Sequence, residues 1–430
     1  MDRWTAVMVA VALVAMLDAP ARADTLAACE AGAYRGPAGD FVVVSQAINP
    51  AKQATWRYAF RDGRFGAIQD GPVQCARGAV TVAAPGKAVE RWPRIALRST
   101  TTRFRSGEVT LVGELVEPPV GREPPPLVVL VHGSEATPYV GGHSRTPYLL
   151  AAQGISAFVF DKRGTGASGG VYTQNFSRLA NDVVAASAEA RRVAGGRYRR
   201  LGLYGGSQGG WVAPRAANAA GADFVVVGFG LVITPLEEDA EQVASELRAR
   251  GSSDDVLGKA RKVTDATGAV IASHFTAGYG ALAAIRAAYG AEPWFTQIRG
   301  EFTGDVLAAD EATLRRDGRA KYDNLDIEWR YDAVGELRKV KAPQLWVLAG
   351  ADREAPSALT LARLQGLRRE GRPLEIAVFP DTDHGIQEFV EAPDGTRTMT
   401  RVADGYFRIT ADWIKQEQHP PYGRAVYPAP

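Results

Sequence analysis

Six short apolar runs, separated by longer stretches of helical composition, constrain the fold of this chain more than any other feature. They are residues 127–131, 155–160, 201–204, 224–228, 344–348 and 374–379. Each is almost entirely apolar and most are rich in β-branched side chains, which is typical of strands that are buried on both faces of a sheet. The stretches between them would supply the covering helices. The sequence therefore predicts an α/β fold with a mostly parallel, doubly wound sheet.

The regions outside this alternation divide the chain further. Residues 24–96 show short alternating strands with a hairpin turn at Asp62-Gly63, which predicts a small N-terminal β-domain. Residues 231–335 are mostly helical, with a strong helix start at Thr234-Pro235, and an insertion there predicts a helical cap over the sheet edge. The sheet domain is then formed by residues 97–230 and 336–418. Residues 419–430 are expected to form an irregular tail.

The stretch LYGGSQGGWVAPRAA, residues 203–217, places one serine among four glycines. Gly205, Ser207 and Gly209 fit the pattern G-x-S-x-G, in which a strand turns sharply into a helix and exposes the serine. Side chains two residues before or after that serine would collide with the strand or the helix, so glycine is used there. With 46 glycines the pattern alone is not specific, but an apolar run precedes it and an alanine-rich helix follows. The context predicts that Ser207 is a nucleophile.

A serine nucleophile needs a general base, and the chain has only five histidines. The chain order expected for such a turn is serine, acid, histidine. Only His384 and His419 can follow an acid placed after Ser207. His419 lies in the irregular tail, whereas His384 lies in the loop FPDTDHGI after a predicted strand, so His384 is the predicted base.

Asp352 is the predicted acid because it directly follows the C-terminal end of a strand, where open parallel sheets collect their functional groups. Asp381 and Asp383 are alternatives, although on the loop of His384 they are typical turn residues. Glu354 is a further alternative.

Two backbone N–H groups are expected to bind the oxyanion, one from Gln208 after the nucleophile and one from Ser134 in the loop of VLVHGSE. His132 in that loop is expected to be a structural hydrogen-bonding residue. Lys162 or Arg163, in the segment DKRGTGAS, is expected to form a structural ion pair instead of touching substrate.

Five motifs, LVVLVHGSE, FVFDKRGTGASGG, LYGGSQGG, VLAGADREAP and FPDTDHGI, occur in this order. Together they resemble the α/β-hydrolase superfamily, in particular bacterial carboxylesterase-like and serine-aminopeptidase-like members with a cap. The resemblance covers roughly residues 97–418 and excludes the N-terminal β-region. It implies a Ser207-Asp352-His384 triad that acts through an acyl-enzyme. It does not identify the substrate, because this fold carries many chemistries.

A carboxylesterase acting on a small ester or acyl compound is the expected function, because amide cleavage demands stricter placement of the base and the substrate. The alternatives are a peptidase or amidase, a thioesterase or acyltransferase, and a non-catalytic binding protein. No cofactor is expected: there is no H-E-x-x-H pattern, and GTGASGG lacks the lysine of a phosphate loop. Fifty basic residues nearly balance 48 acidic ones, and the resulting net charge of +2 is too small to attract nucleic acid.

Residues 1–23 have the form of a secretory signal, with a basic residue, a short apolar stretch and small residues before a cleavage site after Ala23. This predicts export to the periplasm or medium. The sequence LAAC, ending at Cys29, resembles a lipoprotein box and leaves a lipid anchor at Cys29 as an alternative. Cys29 and Cys75 are the only cysteines. In an oxidising compartment such a pair predicts a disulfide, with two unpaired buried thiols as the alternative.

Overall fold

The computed structural model describes residues 28–48 and 53–429. The predicted signal peptide and its cleavage after Ala23 lie outside the described residues. Among the described helices, none is both long enough and apolar enough to cross a membrane.

The N-terminal region forms two small antiparallel sheets around its own apolar core. Val42, Val44, Phe60 and Trp92 are buried in that core, and the predicted disulfide between Cys29 and Cys75 is present beside it. The sulfur of Cys29 is therefore bonded to Cys75. The strands are β1 (Gly32–Arg35), β2 (Phe41–Ile48), β3 (Ala54–Phe60) and β4 (Phe65–Ala67) in one sheet, and β5 (Val73–Ala76), β6 (Ala79–Val82) and β7 (Glu90–Pro93) in the other.

The central sheet has eight strands, and the predicted mostly parallel, doubly wound architecture is confirmed. Its order is β15-β14-β13-β12-β10-β11-β9-β8, with the last two strands antiparallel to their neighbours. The strands are β8 (Arg98–Ser106), β9 (Val109–Glu117), β10 (Leu127–Val131), β11 (Ser156–Phe160), β12 (Leu201–Gly206), β13 (Phe224–Gly228), β14 (Gln344–Ala349) and β15 (Leu374–Phe379).

Helices cover both faces of this sheet, and one inserted group forms the cap. The helices are α1 (Thr146–Ala151), α2 (Phe176–Ala194), α3 (Gly209–Ala217), α4 (Pro235–Ala249), α5 (Asp254–Ile271), α6 (Tyr279–Tyr289), α7 (Thr303–Ala308), α8 (Glu311–Tyr322), α9 (Ala333–Lys339), α10 (Ala358–Arg369) and α11 (Tyr406–Lys415).

The alternation of side chains along β10 shows how the two faces are buried. Val129 and Val131 pack into a core with α2, α3, α9 and α10. Val128 and Leu130 point to the opposite face, where α1 and α11 pack. Because successive strand residues point to opposite faces, a strand covered on both sides must be apolar throughout, as the sequence of β10 is.

Helices α4–α8 form the cap between β13 and β14. The cap starts where predicted: the Thr234 hydroxyl accepts from the Glu237 N–H at 3.1 Å, and the Glu237 carboxylate accepts from the Thr234 N–H at 2.8 Å. This reciprocal pair satisfies two N–H groups at the start of α4. Several cap aromatics form their own packed cluster: Phe275, Tyr279, Phe302 and Trp329.

A third small sheet flanks His384 in the chain and contacts the N-terminal region. Its strands are antiparallel: β16 (Thr382–Asp383), β17 (Gln387–Glu391) and β18 (Arg397–Val402). The Val402 N–H donates to the carbonyl of Gly63 at 3.0 Å, and Arg401 donates to the carbonyl of Asp62. The tail remains irregular, but Val426 pairs with Val378 of the edge strand β15. The tail therefore covers part of an otherwise open sheet edge.

Candidate active site

Ser207 lies on the predicted sharp turn between β12 and α3. Its φ of +52° is in the left-handed region that non-glycine residues rarely adopt. A Cβ at Gly205 would overlap the carbonyl group of Gly209, and one at Gly209 would lie 2.6 Å from the carbonyl oxygen of Val131. Glycine at both positions is therefore a steric requirement of the turn, which holds the hydroxyl at the carboxyl edge of the sheet.

The structure brings together Ser207, His384 and Asp352. The His384 Nε2 atom lies 3.1 Å from the Ser207 Oγ atom, and the His384 Nδ1 atom lies 2.9 Å from an Asp352 carboxylate oxygen. Asp352 is 6% exposed, and its other oxygen accepts from the Ala355 N–H at 2.8 Å. The carboxylate is thus fixed on both sides and holds the imidazole with its second nitrogen directed at the serine.

The alternative acids occupy other positions. Asp383 accepts from the N–H groups of Arg353 and His384, both at 2.9 Å, and pairs with Arg397 at 2.6 Å. It therefore braces the loop of His384 without reaching the imidazole nitrogens. Asp381 pairs with exposed Arg424. Glu354 lies on the serine side of the ring, 3.6 Å from the His384 Nε2 atom.

The charges around His384 shift its pKa. Burial would lower the pKa of the imidazole, but the hydrogen bond and charge of Asp352, followed by the charge of Glu354, outweigh it and raise the pKa above its usual value. A stronger base accepts the serine proton more readily, at the cost of being protonated at a higher pH.

The loop after β10 and the start of α3 present the predicted N–H groups. Among the described residues, neither the Ser134 N–H nor the Gln208 N–H donates to another group. Both residues line the same space as Ser207. Lys162 forms no ion pair with any described residue, and its ammonium donates to the Gly133 carbonyl at 2.7 Å. Burial lowers the pKa of Lys162 to about 8. Lys162 thus fixes the loop that carries Ser134.

One cavity of about 500 Å³ opens from the serine toward α1 and is called the α1 cavity below. It is lined near the reacting atoms by Ser207, His384 and Gly385. Apolar side chains of α1 and the side chain of Arg145 also line it. Further lining residues include Leu149, Leu150, Gln153, Tyr204, Gln387, Tyr406 and Thr410.

A second cavity of about 320 Å³ lies between Ser207 and the cap and is called the cap cavity below. Carboxylates of Glu238, Glu301 and Glu354 line it. Partial burial, then the charges of Glu354 and Asp239, raise the pKa of Glu301 to about 6. Burial, then the negative charges of Glu301 and Glu354, raise the pKa of Glu238. The remaining charged lining residues are Asp305 and Lys321.

Sequence reasoning placed some of these residues correctly and missed others. Arg163 forms the expected structural ion pair, with Asp182 at 2.6 Å. His132 is buried against the rings of Tyr139 and Phe160, but its Nε2 atom has no hydrogen-bond partner among the described residues. Sequence reasoning did not identify Arg145 or Glu301. Of the acidic residues 237–239 at the start of α4, Glu237 caps the helix, whereas Glu238 lines the cap cavity.

Comparisons with known proteins give the family. The model of the alpha/beta hydrolase family matches residues 128–397. Acylamino-acid-releasing enzyme 2 of Oryza sativa subsp. japonica is 36% identical over 64 residues, which are 15% of this chain and 8% of that protein.

Similar solved structures include a Pyrococcus horikoshii acylaminoacyl peptidase, with a TM-score of 0.43 and 15% identity over 84% of this chain and 53% of that one. This chain therefore spans about half the length of that peptidase. A Pyrococcus furiosus esterase has a TM-score of 0.40 and 13% identity over 67% of this chain and 85% of that one. Since the family model matches well over half of its residues, the chain belongs to the alpha/beta hydrolase family.

Proposed function

We propose that the protein is a serine hydrolase that cleaves carboxylic esters through an acyl-enzyme. The observation that carries this proposal is the continuous hydrogen-bonded series from Ser207 through His384 to Asp352, with distances of 3.1 and 2.9 Å. Nucleophile, base and orienting acid are the three roles that acyl transfer requires of a protein.

In the acylation half, Ser207 Oγ forms a bond to the carbonyl carbon while His384 Nε2 takes the hydroxyl proton. The Ser134 and Gln208 N–H groups donate to the oxygen that becomes negative. The bond to the leaving oxygen then breaks as the imidazolium returns the proton to it. Asp352 stabilises that imidazolium through Nδ1.

Deacylation repeats the same steps with water. His384 takes a proton from water, the water oxygen bonds to the acyl carbon, and the bond to Ser207 Oγ breaks as the serine regains its proton. The carboxylic acid leaves and the enzyme returns to its starting state. Every proton and bond is accounted for by residues of this chain and water.

Esters are favoured over amides because an alkoxide leaves more easily than an amide nitrogen, which must be protonated as it departs. The cap cavity supports a second candidate, a peptidase that acts on a free amino terminus. Glu238 and Glu301 line that cavity together with Glu354, and an ammonium group would offset the burial and the mutual repulsion that raise the pKa values of the first two.

Hydrolysis of short-chain p-nitrophenyl esters and of aminoacyl p-nitroanilides distinguishes the two candidates. We expect rapid release from the esters and slow release from the anilides. Ser207→Ala should reduce both by roughly 10⁴-fold or more, because its hydroxyl forms the acyl-enzyme in either reaction. Ser252→Ala, in the loop between α4 and α5, is the matched control and should retain full turnover.

Two results would count against this assignment. Faster turnover of the anilides would promote the peptidase. Turnover that survives in Ser207→Ala would show that another group performs the reaction.

A further inference from the structure

Arg145 precedes α1 and lines the α1 cavity, the same cavity that Ser207 and His384 line. Its neighbours come from three parts of the chain. The guanidinium carbon lies 5.5 Å from the centre of the Phe65 ring, on β4 of the N-terminal region. Arg57 of β3 and the hydroxyls of Tyr204 and Tyr406 are the polar groups that influence its charge.

No carboxylate neutralises this guanidinium. Among the described residues, Arg145 takes part in no ion pair, and its side chain donates no hydrogen bond. The two glutamates that line the α1 cavity lie elsewhere: Glu354 beside His384, and Glu135 beside the oxyanion loop. Burial, then the like charge of Arg57, lower the pKa of Arg145. A partly buried cation beside a second cation is unfavourable unless an anion joins them.

The position of Arg145 relative to the reacting atoms indicates which part of a substrate it would meet. His384 returns its proton to the leaving group, and His384 lines the α1 cavity but not the cap cavity. The leaving group therefore belongs in the α1 cavity. Tyr204, whose hydroxyl influences the charge of Arg145, lines the same cavity of about 500 Å³ as Ser207. A cavity of this size accommodates a leaving group a few bonds long that ends in a charged group.

We propose that Arg145 binds a carboxylate on the leaving group, so that the preferred substrates are esters of hydroxy acids. This inference rests on the proposed esterase function and specifies its substrate class. The planar guanidinium presents paired N–H groups that match the two oxygens of a carboxylate. The N-terminal β-domain then forms part of the specificity site, because Phe65 and Arg57 surround the guanidinium.

The test compares two esters that differ only in charge on the leaving group, para-acetoxybenzoate and its neutral amide, para-acetoxybenzamide. We expect the wild-type kcat/KM to favour the benzoate, and Arg145→Gln to reduce that preference by about tenfold or more. Arg122→Gln is the matched control, because Arg122 is exposed in the loop that leads into the amino end of β10, whereas Ser207 lies at the carboxyl ends of the strands. It should leave the preference unchanged. A wild type without preference, or a preference that Arg145→Gln does not alter, would overturn the proposal.

A binding measurement separates failure of this proposal from failure of the esterase assignment. If neither ester is hydrolysed, the assignment fails, and calorimetric titration of Ser207→Ala with para-acetoxybenzoate still reports on Arg145. We expect binding about tenfold tighter in Ser207→Ala than in Ser207→Ala combined with Arg145→Gln. Equal binding by the two variants would overturn the carboxylate site.

Thermal stability provides a second readout that does not depend on activity. An unpaired, partly buried charge costs stability, so Arg145→Gln should melt at or above the wild-type temperature. A clearly lower melting temperature would show that the guanidinium is held by the protein itself, and would overturn the proposal.

Discussion

The α1 cavity and the cap cavity meet at Ser207 but differ in the charged groups that line them. The α1 cavity is lined by Arg145, which forms no ion pair with any described residue, and by Glu135 and Glu354. The cap cavity is lined by Glu238, Glu301 and Glu354, with Lys321 as its one lining cation among the described residues. The unpaired cation thus lies on the α1 side only, and the acidic cluster lies on the cap side.

This difference indicates that the residues that would carry out the reaction are distinct from those that would select the substrate. In the proposed mechanism the triad and its hydrogen bonds serve any acyl compound, while the two cavities would distinguish substrates by charge on either side of the scissile bond. Changes in the triad should therefore affect all substrates equally. Changes in one cavity should affect only substrates charged on that side.

The largest effect is expected from Asp352→Asn, which should reduce turnover of both charged and neutral esters by roughly 10³- to 10⁴-fold, since the imidazole loses the partner that fixes its tautomer. Asp383→Asn removes the brace from the same loop and should cost about tenfold. Steady-state kinetics with a para-acetoxybenzoate and an alanyl ester check both variants. Equal losses in the two variants would show that Asp352 is not the principal orienting acid. Unequal losses for the two substrates would show that the triad also contributes to substrate selection.

A smaller effect, limited to substrates with a free amino group, is expected from Glu301→Gln. It should reduce kcat/KM for an alanyl ester relative to its N-acetylated counterpart by about tenfold, because an ammonium group loses a charged partner. The pKa of Glu301 is about 6, so the carboxyl is ionised above that pH. The wild-type preference for the free amine should accordingly decline as the pH falls through 6.

The control for this variant is Glu311→Gln, which removes an exposed carboxylate of α8 that pairs with Arg315. It should not change the relative rates. If Glu301→Gln altered the acetylated and free substrates alike, the cap cavity would have no role in charge selection.

The smallest effect is expected in the pH profile of Glu354→Gln. The neutral imidazole of His384 is the active base, so kcat/KM for a neutral ester should fall on the acidic side as that imidazole becomes protonated. Asp352 and then Glu354 raise the pKa of His384 against the lowering effect of burial. Removing the Glu354 charge should therefore lower this pKa and move the acidic limb to lower pH. If the acidic limb moved to higher pH, or moved for only some of the substrates, Glu354 would not be acting by raising the pKa of His384.

The sequence predicted the sheet and the close approach of Ser207, His384 and Asp352 because those features depend on local patterns. Apolar runs of strand length, a glycine-flanked serine and loops at strand ends all carry their signal within a few residues. Arg145 has no such signal. Its setting depends on Phe65 and Arg57 from a region that the family match does not reach, and on Tyr406 near the end of the chain.

The contact between the turn at Asp62-Gly63 and strand β18 has a consequence for how the molecule is assembled. The hydrogen bond from Arg401 to the Asp62 carbonyl joins residues that are 339 positions apart. Closing so long a loop adds little to the equilibrium cost, which grows only with the logarithm of length, but contacts between distant residues slow folding. The turn at Asp62-Gly63 is synthesised well before its partner surface on β18. The N-terminal strands beside Arg145 are therefore expected to dock late, after the sheet that carries Ser207 has formed.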